Sequence, residues 1–361
     1  MTAAVPAVPL TESPFARVYT VLADAIAARA FPGCSFGVMV KGNIVLQDAL
    51  GASTYDEDAF PIAPTTVYDI ASITKVVATT ATAMLLRQRS ILDLDMPLGE
   101  LLPGFVVGRT AAEHARYVSL RHLLAHNSGL PGYVEFFRSI ATPDALLRAC
   151  LQLPLEAEPG ARYEYSDPGF ILLGKALEVL IHESLETWVH REICAPLQLH
   201  ATRYNPPPGL RPQIPPTEED QMFRHRRIQG EVQDENAWVM HGVAGHAGLF
   251  SNVPDLLRFA AAILKSDLLD ATIVEEFAQR QGPASSPRAL GWDTPSEKSS
   301  AGRHFSPHSI GHLGYSGCSL WIDLDAQVAA VLLTNRTWPD RETQLIRDVR
   351  PAFHDALRES L

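Results

Sequence analysis

The segment Ser72-Ile73-Thr74-Lys75-Val76-Val77-Ala78-Thr79-Thr80-Ala81 opens a strongly helical stretch and places a serine three residues before a lysine. Residues three apart on a helix lie on the same face, so the Ser72 hydroxyl and the Lys75 ammonium become neighbours. A serine hydroxyl is a poor nucleophile until a nearby base takes its proton. Lysine can be that base only if its pKa is lowered toward neutrality. The small apolar residues after Lys75 indicate a buried helix. A lysine is unfavourable in such a helix unless its charge serves a function.

The S-x-x-K spacing of Ser72 and Lys75 is weak evidence on its own. A chain with this number of serines and lysines contains about 0.3 such matches by chance. A surface serine and lysine on an ordinary helix is therefore an alternative interpretation, and other segments have to decide between the two.

A second segment, Tyr163-Glu164-Tyr165-Ser166-Asp167-Pro168-Gly169, leads directly into an apolar helix predicted over Asp167–Ile181. The turn before a helix can present a phenol and a carboxylate into a cleft, so Tyr165 and Asp167 are candidate site residues. For Asp167 we favour a role as the helix N-cap, with Pro168 at the first helical position. The two roles are compatible.

A third segment, His312-Leu313-Gly314-Tyr315-Ser316-Gly317, is predicted to begin a strand that runs on into Leu320-Trp321-Ile322-Asp323. Its glycines allow another group to approach the backbone closely, as an edge strand that lines a site requires. A backbone N–H of this strand and the N–H of Ser72 would together form a two-donor oxyanion hole.

The two ends of the chain share one pattern of short apolar runs in pairs, with an amphipathic helix outside each pair. Lys41-Gly42-Asn43 joins the first pair, and we expect Gly42 and Asn43 to take the positive φ of a tight turn. The predicted elements are a helix over Phe15–Ala30, strands over Ser35–Val40, Ile44–Leu50, Ser319–Asp323 and Gln327–Thr334, and a last helix through Leu345, Val349, Phe353 and Leu357.

The middle of the chain is predicted to be mostly helical. The order of elements predicts an α/β (α+β) fold, with an antiparallel sheet flanked by N- and C-terminal helices and an inserted all-helical lobe. We expect one domain from 1–68 and 285–361, a mainly helical domain over 69–284, and the active site in the cleft between them. The candidate helices are Ser72–Arg89, Asp144–Leu151, Asp167–Ile181, Leu185–Cys194 and Asp255–Lys265.

The composition limits the class of partner. With 46% hydrophobic and 20% charged residues, the chain has the composition of an ordinary globular protein. A formal net charge of -11 argues against nucleic acid or an anionic membrane as the main partner. The short basic cluster Arg224-His225-Arg226-Arg227 is interpreted as a solvated loop. No run of about 18 uncharged apolar residues exists, so we predict no transmembrane segment.

The N-terminus and the cysteines bear on the compartment. Met1–Pro6 has neither the basic nor the apolar region of a signal peptide. The four cysteines lie far apart without a C-x-x-C pair, which favours reduced thiols. We therefore expect a cytoplasmic protein, and the sequence predicts no oligomeric state.

No metal or cofactor is predicted. His304, His308 and His312 are spaced four residues apart, as metal ligands on one helix face can be. Pro307 breaks the helix that such a site requires.

In this order, the three segments resemble the serine β-lactamase and penicillin-binding-protein superfamily, whose signature is S-x-x-K, a Tyr- or Ser-based triplet and K-T-G. Tyr165-Ser166-Asp167 matches the position of its Y-x-N, and His312-Leu313-Gly314 matches K-T-G in its H-x-G form. The wide separation looks like the class C β-lactamases, the D-alanyl-D-alanine carboxypeptidases of similar build and their esterase relatives. The likeness runs from about Phe31 to the C-terminus and includes Tyr68–Ser72, Leu123–Leu130, Gly245–Ser251 and Leu333–Arg336.

The resemblance implies that Ser72, Lys75, Tyr165 and His312 are catalytic and that two backbone N–H groups form an oxyanion hole. Ser72 would be the acylated nucleophile. Lys75 and Tyr165 would share the acid–base work, and the sequence does not divide it between them because coupled groups share their titration. The backbone N–H groups of Ser72 and Tyr315 would form the oxyanion hole.

Two matched positions depart from the family pattern. Asp167 stands where the family has Asn, so a donating amide is replaced by a carboxylate, which should weaken binding of substrates with a carbonyl there. His312 stands where the family has the Lys of K-T-G, and it would support the proton network or meet a polar group of the substrate. Because His312 is largely neutral at pH 7, an efficient β-lactamase is disfavoured. Asp167 and Gly314 would line the substrate site.

These expectations add up to a serine hydrolase that forms an acyl-enzyme at Ser72. A small ester, amide or peptide is the expected substrate, and we favour an esterase or a D-amino-acid peptidase or amidase. One alternative is a β-lactamase of weak activity. The other is a non-catalytic protein that binds peptides or cell-wall fragments, which the presence of Ser72, Lys75 and Tyr165 disfavours.

Overall fold

Both ends of the chain contribute strands to one antiparallel sheet, in a computed structural model that describes residues 13–109 and 112–361. Numbered in chain order, its strands are β1 (Gly33–Val40), β2 (Asn43–Gly51), β8 (Ser309–Leu313), β9 (Ser319–Asp323) and β10 (Val328–Thr334). The strand order β2-β1-β10-β9-β8 leaves β8 at one edge. The sheet predicted from the two chain ends is confirmed.

The hairpin between β1 and β2 turns at Lys41 and Gly42, whose φ values are 49° and 78°. Two successive positive φ values are the pattern of a type I′ turn, which matches the twist of the flanking strands. The expectation of a positive φ at Asn43 is wrong, because Asn43 already pairs with Val40 as the first residue of β2.

Helices cover both faces of this sheet. On one face, α1 (Ala16–Ala27) and α12 (Ile346–Glu359) pack against each other and enclose an apolar cluster. There the Phe36 ring of β1 meets Tyr19 and Phe353 edge-on, with ring centroids 5.6 and 6.2 Å away. On the other face lies α10 (Val253–Lys265), which packs against β1 and β10. Pro351 lies within α12 without ending it.

The segment between β2 and β8 is mainly helical, but it is not the all-helical lobe that the sequence suggested. It contains a three-stranded sheet of β3 (Tyr68–Asp69), β7 (Leu249–Ser251) and β4 (Arg203–Tyr204), and a hairpin of β5 (Glu218–Asp220) and β6 (Arg226–Ile228). These strands are too short to show an alternating pattern. Its other helices are α2 (Ala81–Gln88), α3 (Leu98–Leu101), α4 (Ala112–Ala115), α5 (Leu120–Leu124), α6 (Pro143–Leu151), α7 (Asp167–Ile181), α8 (Leu185–Val189), α9 (Glu235–Val239) and α11 (Ala271–Ala278).

The predicted helix over Ser72–Arg89 has three parts. A 3₁₀ turn over Ala71–Ile73 is followed by a π-helical stretch over Lys75–Thr80 and then by α2. The predicted helix over Leu185–Cys194 likewise changes after α8 to a π-helical turn. Amphipathic spacing does not distinguish these forms, since they differ in backbone hydrogen bonds. Short π-helical segments often occur at functional sites.

The prediction of one long strand through Gly314–Gly317 is wrong. β8 ends at Leu313, and the chain reverses before β9 begins at Ser319. Gly317 has a φ of 108°, and a Cβ there would overlap the Thr334 hydroxyl. Glycines 314 and 317 therefore serve a tight turn that sits against β10.

The structure tests only part of what the sequence predicts about membrane spanning, the N-terminal segment and the domain boundaries. No helix within residues 13–109 and 112–361 is long and apolar enough to cross a membrane. The interpretation of Met1–Pro6 lies outside the described residues. The domain boundaries at 68/69 and 284/285 stay a prediction.

Candidate active site

A cleft of about 770 Å³ opens where the edge strand β8 meets the mainly helical segment. The polar residues predicted from the sequence converge there. Its lining includes Ser72, Tyr165, Asp167, His312, Gly314 and Tyr315. Lys75 lies directly beneath, fully buried, with its ammonium in contact with Ser72.

The local backbone that presents Ser72 is held by a buried carboxylate. Ala71 has a φ of 46°, an unfavourable conformation for a residue with a Cβ. The Asp69 carboxylate accepts hydrogen bonds from the backbone N–H of Ala71 at 2.8 Å and of Gln233 at 2.7 Å. Burial raises the pKa of Asp69 to about 6. Sequence reasoning matched Tyr68–Ser72 to the family but did not find this role for Asp69.

The Lys75 ammonium is the centre of the hydrogen-bond network. It donates to Ser72 Oγ at 3.0 Å, to Asp167 Oδ1 at 2.6 Å and to the His246 carbonyl at 3.1 Å. Burial acts to lower the pKa of Lys75, but the charges and hydrogen bonds of Asp167 and Tyr165 together outweigh it, and the pKa is raised above its ordinary value. The sequence argument required a lowered pKa for a lysine base. In the resting site Lys75 is therefore a cation.

Asp167 is not the N-cap of α7, and that prediction is wrong. The cap is Ser166, whose hydroxyl accepts a hydrogen bond from the Gly169 N–H at 3.0 Å. Pro168 still lies in the first turn, as expected. Because Ser166 takes the cap, the Asp167 carboxylate is free to pair with Lys75.

The Tyr165 ring is held between three side chains. Its centroid is 4.6 Å from the His126 ring, 4.8 Å from Lys75 Nζ and 5.1 Å from the Arg288 guanidinium carbon. His126 is fixed in turn because its Nδ1 accepts the Ser166 N–H at 3.0 Å. Burial raises the pKa of Tyr165, although Lys75 and Ser72 partly oppose the shift. The phenol is therefore protonated at rest.

His312 lies at the end of β8 as a neutral ring. Its Nδ1 lies 2.8 Å from the Leu313 carbonyl, an acceptor, so Nδ1 carries the proton and Nε2 has the free lone pair. Burial, with help from the positive charges of Arg288 and Lys75, lowers the pKa of His312 well below its ordinary value. The expected neutrality follows from this environment. Within the described part of the chain, Nε2 is buried without a hydrogen-bond partner.

Arg288 is a cleft residue that sequence reasoning missed. Its guanidinium lies 3.9 Å from the Asp293 carboxylate, and its side chain is only 13% exposed. Arg288 therefore places a positive charge close to His312, the position at which the family has the lysine of K-T-G. A single arginine in a Pro- and Ser-rich segment gives no pattern from which this position could be predicted.

The two expected oxyanion donors both belong to cleft-lining residues. Ser72 follows the strained Ala71, and Tyr315 follows Gly314 in the turn after β8. Among residues 13–109 and 112–361, no acceptor of this chain binds the Tyr315 N–H. The assignment of these two groups as an oxyanion hole stays a prediction.

The three histidines spaced four apart do not converge on one point. His304 contacts Glu359, His308 lies between Glu275 and Asp325, and His312 lines the cleft. No cluster of metal-ligating side chains was found in the described ranges.

The basic cluster at Arg224–Arg227 is only partly the solvated loop that the sequence suggested. Arg224 is buried, with its side chain 3% exposed, and it donates to the Asp220 carboxylate and to the Val232 and Gln233 carbonyls. Arg226 and Arg227 belong to β6 and are exposed. Charge patterning along the sequence does not reveal partners that the fold brings together.

Similar solved structures show the β-lactamase/transpeptidase fold. A structure described as "EstCE1, a hydrolase with promiscuous acyltransferase activity" has a TM-score of 0.75 and 21% identity, over 94% of this chain and 98% of that one. A penicillin-binding-protein homologue from Pyrococcus abyssi has a TM-score of 0.70 and 22% identity, over 89% of this chain and 73% of that one. The predicted fold class is confirmed.

The chain belongs to the Beta-lactamase family, whose profile matches residues 19–351. It is 31% identical to an N-acetylmuramyl-L-alanine amidase from Bacillus subtilis, over 86% of this chain and 78% of that protein. It is also 31% identical to a putative D-alanyl-D-alanine carboxypeptidase from Salmonella typhimurium, over 85% of this chain and 79% of that protein. The chain is thus a hydrolase of the serine β-lactamase and penicillin-binding-protein type, and the predicted resemblance is confirmed.

Proposed function

We propose that this protein hydrolyses an amide bond in a small substrate through an acyl-enzyme at Ser72, and that the leaving amino acid carries a carboxylate. The observation that carries the proposal is the Lys75 ammonium, 3.0 Å from Ser72 Oγ at the floor of the cleft. Of the functions expected from the sequence, we propose the peptidase or amidase and not the esterase.

The proposed reaction has two stages. In the form of the site that has lost one proton from the Tyr165–Lys75 pair, Ser72 Oγ attacks the carbonyl carbon and passes its proton to that pair, while the N–H groups of Ser72 and Tyr315 stabilise the oxyanion. The tetrahedral species collapses as the amine leaves with that proton, and the acyl group stays on Ser72. Water then attacks the ester and gives a proton to the same pair, which returns it to Ser72 Oγ as the acid is released.

The cleft supports an amide substrate with a carboxylate near the cleaved bond. The free lone pair of His312 Nε2 is an acceptor for a substrate N–H, which an amide has and an ester lacks. Arg288, partly buried beside His312, provides a cation for a carboxylate. The relatives named as an amidase and a carboxypeptidase agree with this choice.

The proposal is tested with matched substrates and an Arg288→Met variant. The substrates are N-acetylmuramyl-L-alanine, an N-acyl-D-alanyl-D-alanine, and the C-terminal carboxamide of each. We expect the wild type to prefer the carboxylate form of at least one pair by about tenfold or more. Arg288→Met should lower kcat/KM for that form about 30-fold, because a charge-assisted hydrogen bond contributes about 2 kcal/mol. The carboxamide should change less than about threefold.

Two results would contradict the proposed substrate class. Equal losses on both members of a pair would show that Arg288 supports the site without contacting a carboxylate. Turnover of p-nitrophenyl butyrate together with no cleavage of any amide would make the enzyme an esterase. Nitrocefin completes the panel, and we expect it to be the poorest substrate.

Asp167→Asn tests how the site sets its working pH. Burial raises the pKa of Tyr165 and the charge of Asp167 adds to it, while the same charge, together with Tyr165, keeps the pKa of Lys75 raised against burial. Removing that charge lowers the pKa of both groups. Whichever group is the base, the rising limb of kcat/KM against pH should therefore move to lower pH. Profiles of wild type and Asp167→Asn on one substrate measure this, and a limb that stays in place or moves up would contradict it.

A further inference from the structure

The turn between β8 and β9 carries Tyr315, and a buried arginine of the C-terminal helix, which also lines the cleft, donates to the carbonyls of this turn. The Arg350 guanidinium donates to the carbonyls of Gly314 at 2.6 Å, Cys318 at 2.9 Å and Gly317 at 3.3 Å. Arg350 is 7% exposed. Its three acceptors are the carbonyls of one turn.

Burying the Arg350 guanidinium in this way costs more free energy than an ordinary structural contact. Burying a charge without an opposite charge is unfavourable, and burial lowers the pKa of Arg350 to about 10. In the described ranges, no carboxylate lies within ion-pair distance of Arg350. Three neutral carbonyls therefore compensate for its charge.

The other side of the turn rests on the segment that carries the nucleophile. The Ser316 hydroxyl donates to the Asp69 carbonyl at 2.7 Å. A Cβ on Gly314 would lie 2.5 Å from the Ile70 carbonyl oxygen, so that position has room only for glycine. The turn is therefore clamped between the strand before Ser72 and Arg350, which sets the separation of the two N–H groups expected to face the substrate.

The carbonyl of Gly314 and the N–H of Tyr315 are the two polar ends of one planar peptide group. The C=O and N–H bonds lie in that plane and point in opposite directions. A cation on the carbonyl oxygen fixes the orientation of the plane and draws electron density from the nitrogen, which strengthens the N–H as a donor. The Arg350 contact at 2.6 Å is made to this carbonyl.

We propose that Arg350 is a positioning residue for the oxyanion hole: through the Gly314 carbonyl it orients and polarises the Tyr315 N–H toward the developing oxyanion. This inference rests on the proposed acyl-enzyme at Ser72. Although Arg350 lines the cleft, in this inference it acts through one peptide group and not by contact with the substrate. Its contribution is made in the transition state, so it affects kcat and leaves KM nearly unchanged.

A purely structural role for Arg350 is distinguished by a control on the same helix. Arg358 also joins α12 to the sheet side of the fold, since it donates to the His304 carbonyl at 3.1 Å and pairs with Asp323 at 3.3 Å. It does not line the cleft. Arg358→Gln therefore weakens the docking of α12 without reaching the turn.

The experiment compares wild type with Arg350→Lys, Arg350→Gln, Arg358→Gln and Ser72→Ala, below the melting temperature of each. kcat and KM are measured on p-nitrophenyl butyrate, and affinity is measured for phenylboronic acid. This compound adds reversibly to a serine and places an oxygen where the oxyanion forms. Arg350→Gln should lower kcat about 100-fold, the cost of losing one oxyanion donor. Arg350→Lys should lower it about tenfold, since an ammonium keeps the charge but reaches fewer carbonyls.

KM should change less than about threefold in both Arg350 variants, boronate affinity should fall with kcat, and Arg358→Gln should match wild type within about threefold. If boronate affinity and kcat survive in Arg350→Lys, or if the loss appears in KM, the positioning role is wrong. If Arg350→Gln does not fold, Arg350→Lys alone decides. If the proposed function is wrong, Ser72→Ala and wild type should bind phenylboronic acid with equal affinity. In that case this inference is wrong as well.

Discussion

Replacement of Ser72 by alanine is expected to lower kcat on every hydrolysed substrate by about 10⁴-fold or more, because no other group can form the acyl-enzyme. The fold should persist. Lys75 keeps its contacts to Asp167 and to the His246 carbonyl when the Ser72 hydroxyl is lost. The change in the free energy of unfolding should therefore be about 1 kcal/mol or less.

Covalent labelling gives the same prediction a direct readout. A fluorophosphonate should add one label to the wild type, and peptide mapping should place it on Ser72. Ser72→Ala should take up no label, while Ser139→Ala, an exposed serine outside the cleft, should behave as wild type. A label on another residue, or unchanged turnover in Ser72→Ala, would remove the proposed mechanism.

The fold was predictable where a short local signal marks each boundary. The range predicted for α7, Asp167–Ile181, agrees with the structure to the residue, and so does the strand predicted over Ser319–Asp323, although its expected continuation back to His312 is wrong. In α7, Pro168 marks the first turn, although the cap is Ser166 and not the predicted Asp167, and β9 is an apolar run bounded by turns. The bounds were harder to predict where tertiary contacts decide the backbone, as at Ala71, whose positive φ depends on the Asp69 carboxylate.

The candidate site was predictable to the extent that its residues belong to motifs. The three segments placed Ser72, Tyr165 and His312 in one cleft, while their chemical roles stay predictions. Asp69, Arg288 and Arg350 were missed for one physical reason. Each is a single charged residue with at least one partner that the fold brings from far along the chain, such as Gln233 for Asp69, and local spacing carries no record of that partner.

The Lys75–Asp167 pair raises the question of whether Lys75 is needed for chemistry or only for a stable cleft. Lys75→Met removes the charge and keeps much of the side-chain volume. It leaves the Asp167 carboxylate, 16% exposed, without its ion-pair partner. We expect kcat to fall about 10³-fold or more and the free energy of unfolding to fall by about 3 kcal/mol, as when one partner of a buried pair is lost.

The double variant Lys75→Met/Asp167→Asn separates the two contributions. In the double variant the Asp167 carboxylate is replaced as well, so no unpaired charge is left in the site. The double variant should therefore regain most of the stability that Lys75→Met loses. It should restore no activity, since neither side chain can hold or move the proton of Ser72. Urea unfolding and kcat on p-nitrophenyl butyrate, measured for the wild type, both single variants and the double variant, form a complete cycle. Recovery of kcat along with stability would show that the Lys75 ammonium only holds the cleft together, whereas recovery of stability alone assigns it to the proton transfer.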